Sequence, residues 1–210
     1  MKTQTLLQVT SSLFSDSGQS SRLAEAFVAR WRQANPNGQV IVRDLSRDPV
    51  PHLNAERFGA FLSKPEARTL RQDAFVAYSD GLIEELRRAD VIAIGLPMYN
   101  FGVPSTLKAY FDHIARAGVT FRYTDKGAVG MLTGKKAYVF ATRGGKYAGT
   151  GLDLETGFVR QFLAFIGIDD VEFIYAEGLA IGDATKEAAL SAAREAIARL
   201  ATLQSWPLAA

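Results

Sequence analysis

Three short stretches hold the residue types from which a binding site could be built. Ser11-Ser12-Leu13-Phe14-Ser15-Asp16-Ser17-Gly18-Gln19-Ser20-Ser21 gathers hydroxyls and a glycine just before a helical pattern. A helix N-terminus leaves backbone N–H groups without intrahelical partners, so this stretch suits one phosphate. Met98-Tyr99-Asn100-Phe101 leaves the apolar run VIAIGL through aromatic and amide groups, which can wall a flat ring and reach its edge. Thr142-Arg143-Gly144-Gly145 follows another apolar run, and its two glycines let backbone N–H groups come close to such a ring. Each stretch also has an ordinary reading: Ser20 or Ser21 as the N-cap of a helix starting at Arg22, a core aromatic turn, a plain glycine turn.

The first stretch has neither the Gly-x-Gly-x-x-Gly turn of a dinucleotide site nor a Walker lysine. A single phosphate on a hydroxyl-rich loop points to a mononucleotide, and FMN is placed in this way in flavodoxin-like sheets. The chain contains no cysteine, which excludes thiolate nucleophiles, disulfides and cysteine-held zinc or iron–sulfur clusters. Redox chemistry would therefore need a borrowed group. With 24 Lys and Arg against 22 Asp and Glu, scattered along the chain, the net charge of +2 gives no nucleic-acid footprint.

Five apolar runs bounded by turn residues read as buried strands: Thr5–Thr10, Gln39–Asp44, Val91–Leu96, Lys136–Thr142 and Val171–Ala176. Between them, apolar residues recur at helical spacing: Leu23, Phe27 and Trp31; Leu107, Tyr110, Phe111 and Ile114; Phe158, Phe162 and Phe165; Leu190, Ala193, Ile197 and Leu200. A further helix is expected from about Asp73 to Arg88. The alternation predicts an α/β fold, one domain over residues 1–210 with a five-stranded parallel sheet and helices on both faces. The three stretches then follow the first, third and fourth strands, at the edge where such sheets bind ligands.

The proline-bearing excursion Leu45–Leu70 is expected to be partly helical, as a lid or subunit contact, and Thr120–Lys135 reads as a loop or irregular hairpin. His52 and His113 are expected in surface and structural roles, and the tail Ser205–Ala210 carries no signal. The apolar start Thr5–Val9 is too short for a signal-peptide core and no run approaches a membrane span, so a cytoplasmic protein is expected.

With these residues in view, the sequence resembles the FMN-dependent NADH azoreductases, also called FMN-dependent NADH:quinone oxidoreductases, of the flavodoxin-like superfamily. The likeness spans nearly the whole chain. It is most specific at Met98–Phe101, Ser105–Thr124 (STLKAYFDHIARAGVTFRYT), Leu132–Ala137 (LTGKKA), Arg143–Gly145 and Phe165–Gly178 (FIGIDDVEFIYAEG). The resemblance implies non-covalent FMN, one per subunit, in a homodimer with sites at the interface. It further implies ping-pong transfer of two electrons from NADH or NADPH to quinones, with reductive cleavage of azo compounds. Carried onto this chain, it places the FMN phosphate on Ser12, Gly18, Gln19 and Ser20. The ring then lies against Met98, Tyr99, Asn100 and Phe101 and against Thr142, Arg143, Gly144 and Gly145.

No side chain is expected to act as catalyst, because the flavin N5 carries the hydride. Phe121, Tyr123 and Tyr147 are the expected substrate wall. Two positions depart from the family pattern. Gly18 stands where many members have serine, and Tyr147 stands where some have histidine. The alternatives are a flavodoxin-type electron carrier, an NADPH-preferring reductase of acceptors such as nitroaromatics, and a flavin-free nucleotide-binding domain of the same scaffold.

Overall fold

Continuous apolar runs form the middle of the sheet because a parallel strand there is covered on both faces. In the computed structural model, which describes residues 3–203, β1 (Thr5–Thr10) and β3 (Val91–Pro97) are buried at every position. β6 (Lys136–Thr142) is buried from Ala137 onward. The more polar β2 (Gln39–Asp44) and β7 (Asp170–Ala176) take the two edges, giving the parallel order β2-β1-β3-β6-β7.

Alternate strand residues feed two cores. Leu6, Val91, Ala93, Tyr138 and Phe140 pack with α1 (Gln19–Ala34) and α6 (Asp183–Leu203), through Leu23, Phe27 and Trp31 of the one and Leu190, Ala193 and Ile197 of the other. On the opposite face Leu7, Val9, Ile92, Ile94 and Val139 meet three helices: α3 (Leu70–Arg88), α4 (Ser105–Ile114) and α5 (Leu154–Phe165). The predicted sheet and its two helical layers are therefore present. α3 starts three residues before the expected Asp73, because Thr69 and Gln72 close a reciprocal capping box at its N-terminus.

The excursion after β2 contains α2 (Ala55–Leu62), capped by Asn54, and a 3-10 turn at Pro65–Ala67. The segment before β6 is a hairpin of antiparallel strands β4 (Phe121–Thr124) and β5 (Gly127–Gly130). Its base is fixed by close backbone approach: a Cβ on Gly130 would fall 2.0 Å from the Gly167 nitrogen. Leu132 N–H donates to the Ile166 carbonyl at 2.9 Å, and the Phe121 and Phe165 rings meet at 4.2 Å.

No helix among the described residues is long and apolar enough to cross a membrane. The tail Ser205–Ala210 lies outside the described residues.

Candidate functional site

After β1 the chain supplies β2 on one side and β3 on the other, so the strand order reverses between β1 and β3. A crevice opens there, outside the carboxyl ends of the strands. The loops after β1, β3 and β6 line a cavity of about 190 Å³ through Ser12, Gly18, Gln19, Met98, Tyr99, Thr142, Arg143 and Gly144, joined by Phe14, Pro97 and Leu179.

The phosphate-type end is an uncapped helix. α1 begins at Gln19, not at Arg22, and its N-cap is Gly18, which has no side chain to occupy the first-turn N–H groups. Ser20 and Ser21, the residues expected as caps, lie inside that turn. They are buried, and their hydroxyls have no hydrogen-bond partner. The helix starts earlier because it packs onto β3: a Cβ on Gly95 would stand 3.2 Å from the Ser20 carbonyl oxygen, so the small residue lets the first turn settle against the strand. Gly18 is equally specific, for a Cβ there would meet Ser12 Oγ at 2.1 Å and Ser12 Cβ at 2.6 Å. Ser12 thus fills the space that a serine at position 18 would need.

Tyr99 joins two of the loops. Its hydroxyl accepts from the Leu13 N–H at 3.2 Å and lies 3.5 Å from Ser12 Oγ. Beyond it the chain turns back on itself, with Tyr99 and Gly102 exchanging backbone hydrogen bonds of 3.0 and 3.1 Å. The two central residues, Asn100 and Phe101, have φ of 51° and 64°. Left-handed backbone suits asparagine and is a true outlier for phenylalanine. Phe101 is held there with its ring edge-on to Tyr147, centroids 5.6 Å apart. Tyr147 in turn lies over Gly145, where a Cβ would be 2.6 Å from its hydroxyl.

Arg143 is neither a solvated arginine nor a free cation at the site. Its side chain is 0% exposed, and it donates to Asp153 at 2.7 Å, Thr156 at 2.8 Å and Glu177 at 3.2 Å, with Glu155 3.6 Å from its Nε. Burial alone would raise the Asp153 carboxyl, yet hydrogen bonds from Arg143 and Thr156 outweigh it and hold the group below its usual value. Burial wins at Glu155, whose carboxyl is pushed up to about 8 against the pull of Arg143.

The loop after β7 anchors the glycine pair. Gly178 N–H donates to the Gly145 carbonyl at 2.8 Å and Ala180 N–H to the Gly144 carbonyl at 3.0 Å. The N–H groups of Gly144 and Gly145 have no partner among the described residues. Two clusters of unused backbone donors, at the α1 N-terminus and at this glycine pair, therefore flank one crevice.

Four expected ring or phosphate contacts, Ser20, Asn100, Phe101 and Gly145, adjoin the cavity without lining it. Phe121 is 7% exposed and serves the packing beneath the hairpin, whereas Tyr123 projects with 75% exposure; neither lines the cavity. His52 is exposed and His113 is fully buried, with Nδ1 3.2 Å from the Ala109 carbonyl. Sequence reasoning missed Phe14, Pro97 and Leu179. Apolar residues in loops or at a strand end announce no chemistry, although Leu179 follows the AEG motif directly.

A larger cavity, about 440 Å³, opens between α1 and β2 and includes Gln8, Asp16, Asp44 and Arg47. It lies off the reversal point, and three of its charges are engaged with one another, Arg47 pairing with Asp16 and Asp44.

A family model described as a flavodoxin-like fold matches residues 4–201. The chain is 53% identical over 193 residues to an FMN-dependent NADH:quinone oxidoreductase of Cellvibrio japonicus, covering 92% of this chain and 96% of that protein. It is 54% identical over 194 residues to one from Burkholderia lata, covering 92% and 98%. Among solved structures it is similar to azoreductase from Bacillus anthracis strain Sterne, with TM-score 0.86 and 27% identity over 94% of this chain and 98% of that one. It is also similar to an FMN-dependent NADH-azoreductase from the Ames Ancestor strain in complex with FMN, with TM-score 0.83 and 25% identity over 94% and 99%.

Proposed function

Because the chain belongs to the flavodoxin-like fold family, we propose that it is an FMN-dependent oxidoreductase moving two electrons from NADH or NADPH to quinones, with azo compounds as further acceptors. The observation that carries this reading is the pair of unused backbone donor clusters flanking the crevice between β1 and β3. The names of the relatives from Cellvibrio and Burkholderia and of the FMN-bound Bacillus structure support it.

In this proposal the uncapped first turn of α1, with Ser12, Gly18, Gln19 and Ser20, holds the phosphate, which the helix dipole favours by about 0.3–2 kcal/mol. Met98, Tyr99, Asn100 and Phe101 wall one side of the ring. The unpartnered N–H groups of Gly144 and Gly145 would serve its edge, where donors would favour the reduced, anionic form. FMN held there would supply the hydride-accepting and hydride-donating chemistry that the chain's own side chains lack. The chain's own task is positioning: Tyr99 couples the loops after β1 and β3, and the buried Arg143 fixes the loop after β6.

A cavity of about 190 Å³ is small for a flavin ring and its substrate, since ligand pockets usually measure about 300–1,000 Å³. A homodimer with a second subunit completing the wall fits that shortfall, and a cytoplasmic location fits the need for nicotinamide. Tyr123 and Tyr147 remain the substrate contacts of the reading, with the Phe121 ring packed against Tyr123, centroids 5.5 Å apart.

The test is an absorbance titration with FMN followed by NADH addition without oxygen. Bound flavin that bleaches and is reoxidised by a quinone is the expected result. Bound flavin that NADH leaves yellow would point to an electron carrier, and no bound flavin would refute the reading altogether.

A further inference from the structure

Glu177 follows β7 and reaches under the loop after β6. One of its carboxylate oxygens, Oε1, accepts the Tyr147 N–H at 2.8 Å, the Ala148 N–H at 2.9 Å and Arg143 Nη1 at 3.2 Å. A single charged acceptor therefore fixes two successive backbone amides and the cation that precedes the glycine pair. Hydrogen bonds to a charged partner are stronger than neutral ones, so this is the firmest tie between the two loops. Above it the Tyr147 ring covers Gly145 and touches Phe101 from the loop after β3, bridging the two loops that bound the candidate site.

We propose that Glu177 is a positioning residue: it holds Tyr147 across the mouth of the site and, through Tyr147, limits how bulky an electron acceptor can reach the ring. The acceptor half of this proposal rests on the reductase reading; the latch itself does not. Small single-ring quinones pass the Tyr147–Phe101 contact, whereas fused-ring quinones require it to open. Arg143 keeps Asp153 as an ionised partner when Glu177 is removed, so its buried charge is not left alone.

The experiment compares Glu177→Ala, Tyr147→Ala and the double variant with the parent by two measurements. In the FMN-free chain, hydrogen exchange at the Tyr147 and Ala148 amides is expected to quicken about tenfold or more in Glu177→Ala, with β1 and β3 amides unchanged. In the FMN-loaded protein, the ratio of kcat/KM for anthraquinone sulfonate to that for p-benzoquinone is expected to rise about tenfold in either single variant and no further in the double, because one residue acts through the other. Unchanged exchange at the two amides overturns the latch, and additive effects in the double variant overturn its action through Tyr147. A protein that takes up no FMN sinks the reductase reading and the acceptor half with it, while the exchange result still judges the latch. If Glu177→Ala does not fold, Glu177→Gln serves, with the same directions expected at about threefold because one oxygen acceptor remains.

Discussion

Replacing Glu155 by glutamine should flatten a pH dependence that this carboxyl imposes on stability. Glu155 is 1% exposed, neither carboxyl oxygen has a hydrogen-bond partner, and Arg143 Nε stands 3.6 Å away. Burial raises its pKa from 4.5 to about 8, Asp153 adds to the rise, and Arg143 opposes it. The unfolded chain loses this proton near 4.5 and the folded chain keeps it to about 8. Stability from the group is thus complete below the unfolded value and is lost as pH rises towards the folded one, at about 1.4 kcal/mol per pH unit. Between about pH 5 and about pH 7.5 the loss amounts to about 3 kcal/mol. Glutamine keeps the length and an oxygen facing Arg143 but cannot ionise. Urea unfolding of the FMN-free protein, followed by circular dichroism at both pH values, should show the variant gaining on the parent by about that amount. Parallel stabilities, or a parent that gains on the variant at the higher pH, would mean that Glu155 is ionised and paired with Arg143, and the reasoning would fail.

Gly18→Ala should lower thermal stability by about 1–3 kcal/mol through its clash with Ser12, and FMN affinity measured by fluorescence quenching should fall with it. Adding Ser12→Gly should restore most of the stability, since it removes both clashing atoms. Phe101→Gly relaxes the left-handed backbone, so the FMN-free protein should gain about 1 kcal/mol in thermal unfolding while binding FMN more weakly, having lost an aromatic wall. Gly130→Ala places a methyl group against the Gly167 backbone; a loss on the order of 3 kcal/mol, read by denaturant titration, is expected, and wild-type stability would contradict the close approach.

The sheet was legible because parallel strands covered on both faces must be written as unbroken apolar runs. The runs at Thr5–Thr10, Gln39–Asp44 and Lys136–Thr142 match β1, β2 and β6 end for end, and β3 and β7 each extend by one residue. The start of α1 was less legible. Serine is a good cap by itself, and only the close seat of the first turn on Gly95 shows that Ser20 and Ser21 belong inside the helix. The burial of Arg143 was not legible, since its partners Asp153 and Glu155 stand at the start of α5 and Glu177 in the loop after β7, and they gather only when β6 and β7 pair. The strained turn at Phe101 was unreadable for a related reason: nothing in the local sequence predicts a left-handed phenylalanine.

The β4–β5 hairpin is bolted at one end only. Gly130 against Gly167 and Phe121 against Phe165 hold its root, while the far turn around Asp125 and Lys126 is exposed. Insertions, deletions or a grafted peptide at that turn would leave the two cores undisturbed, because no core residue lies beyond the root. The hairpin is thus a place where this chain can be lengthened or reshaped by evolution or by design, with the crevice between β1 and β3 inherited intact.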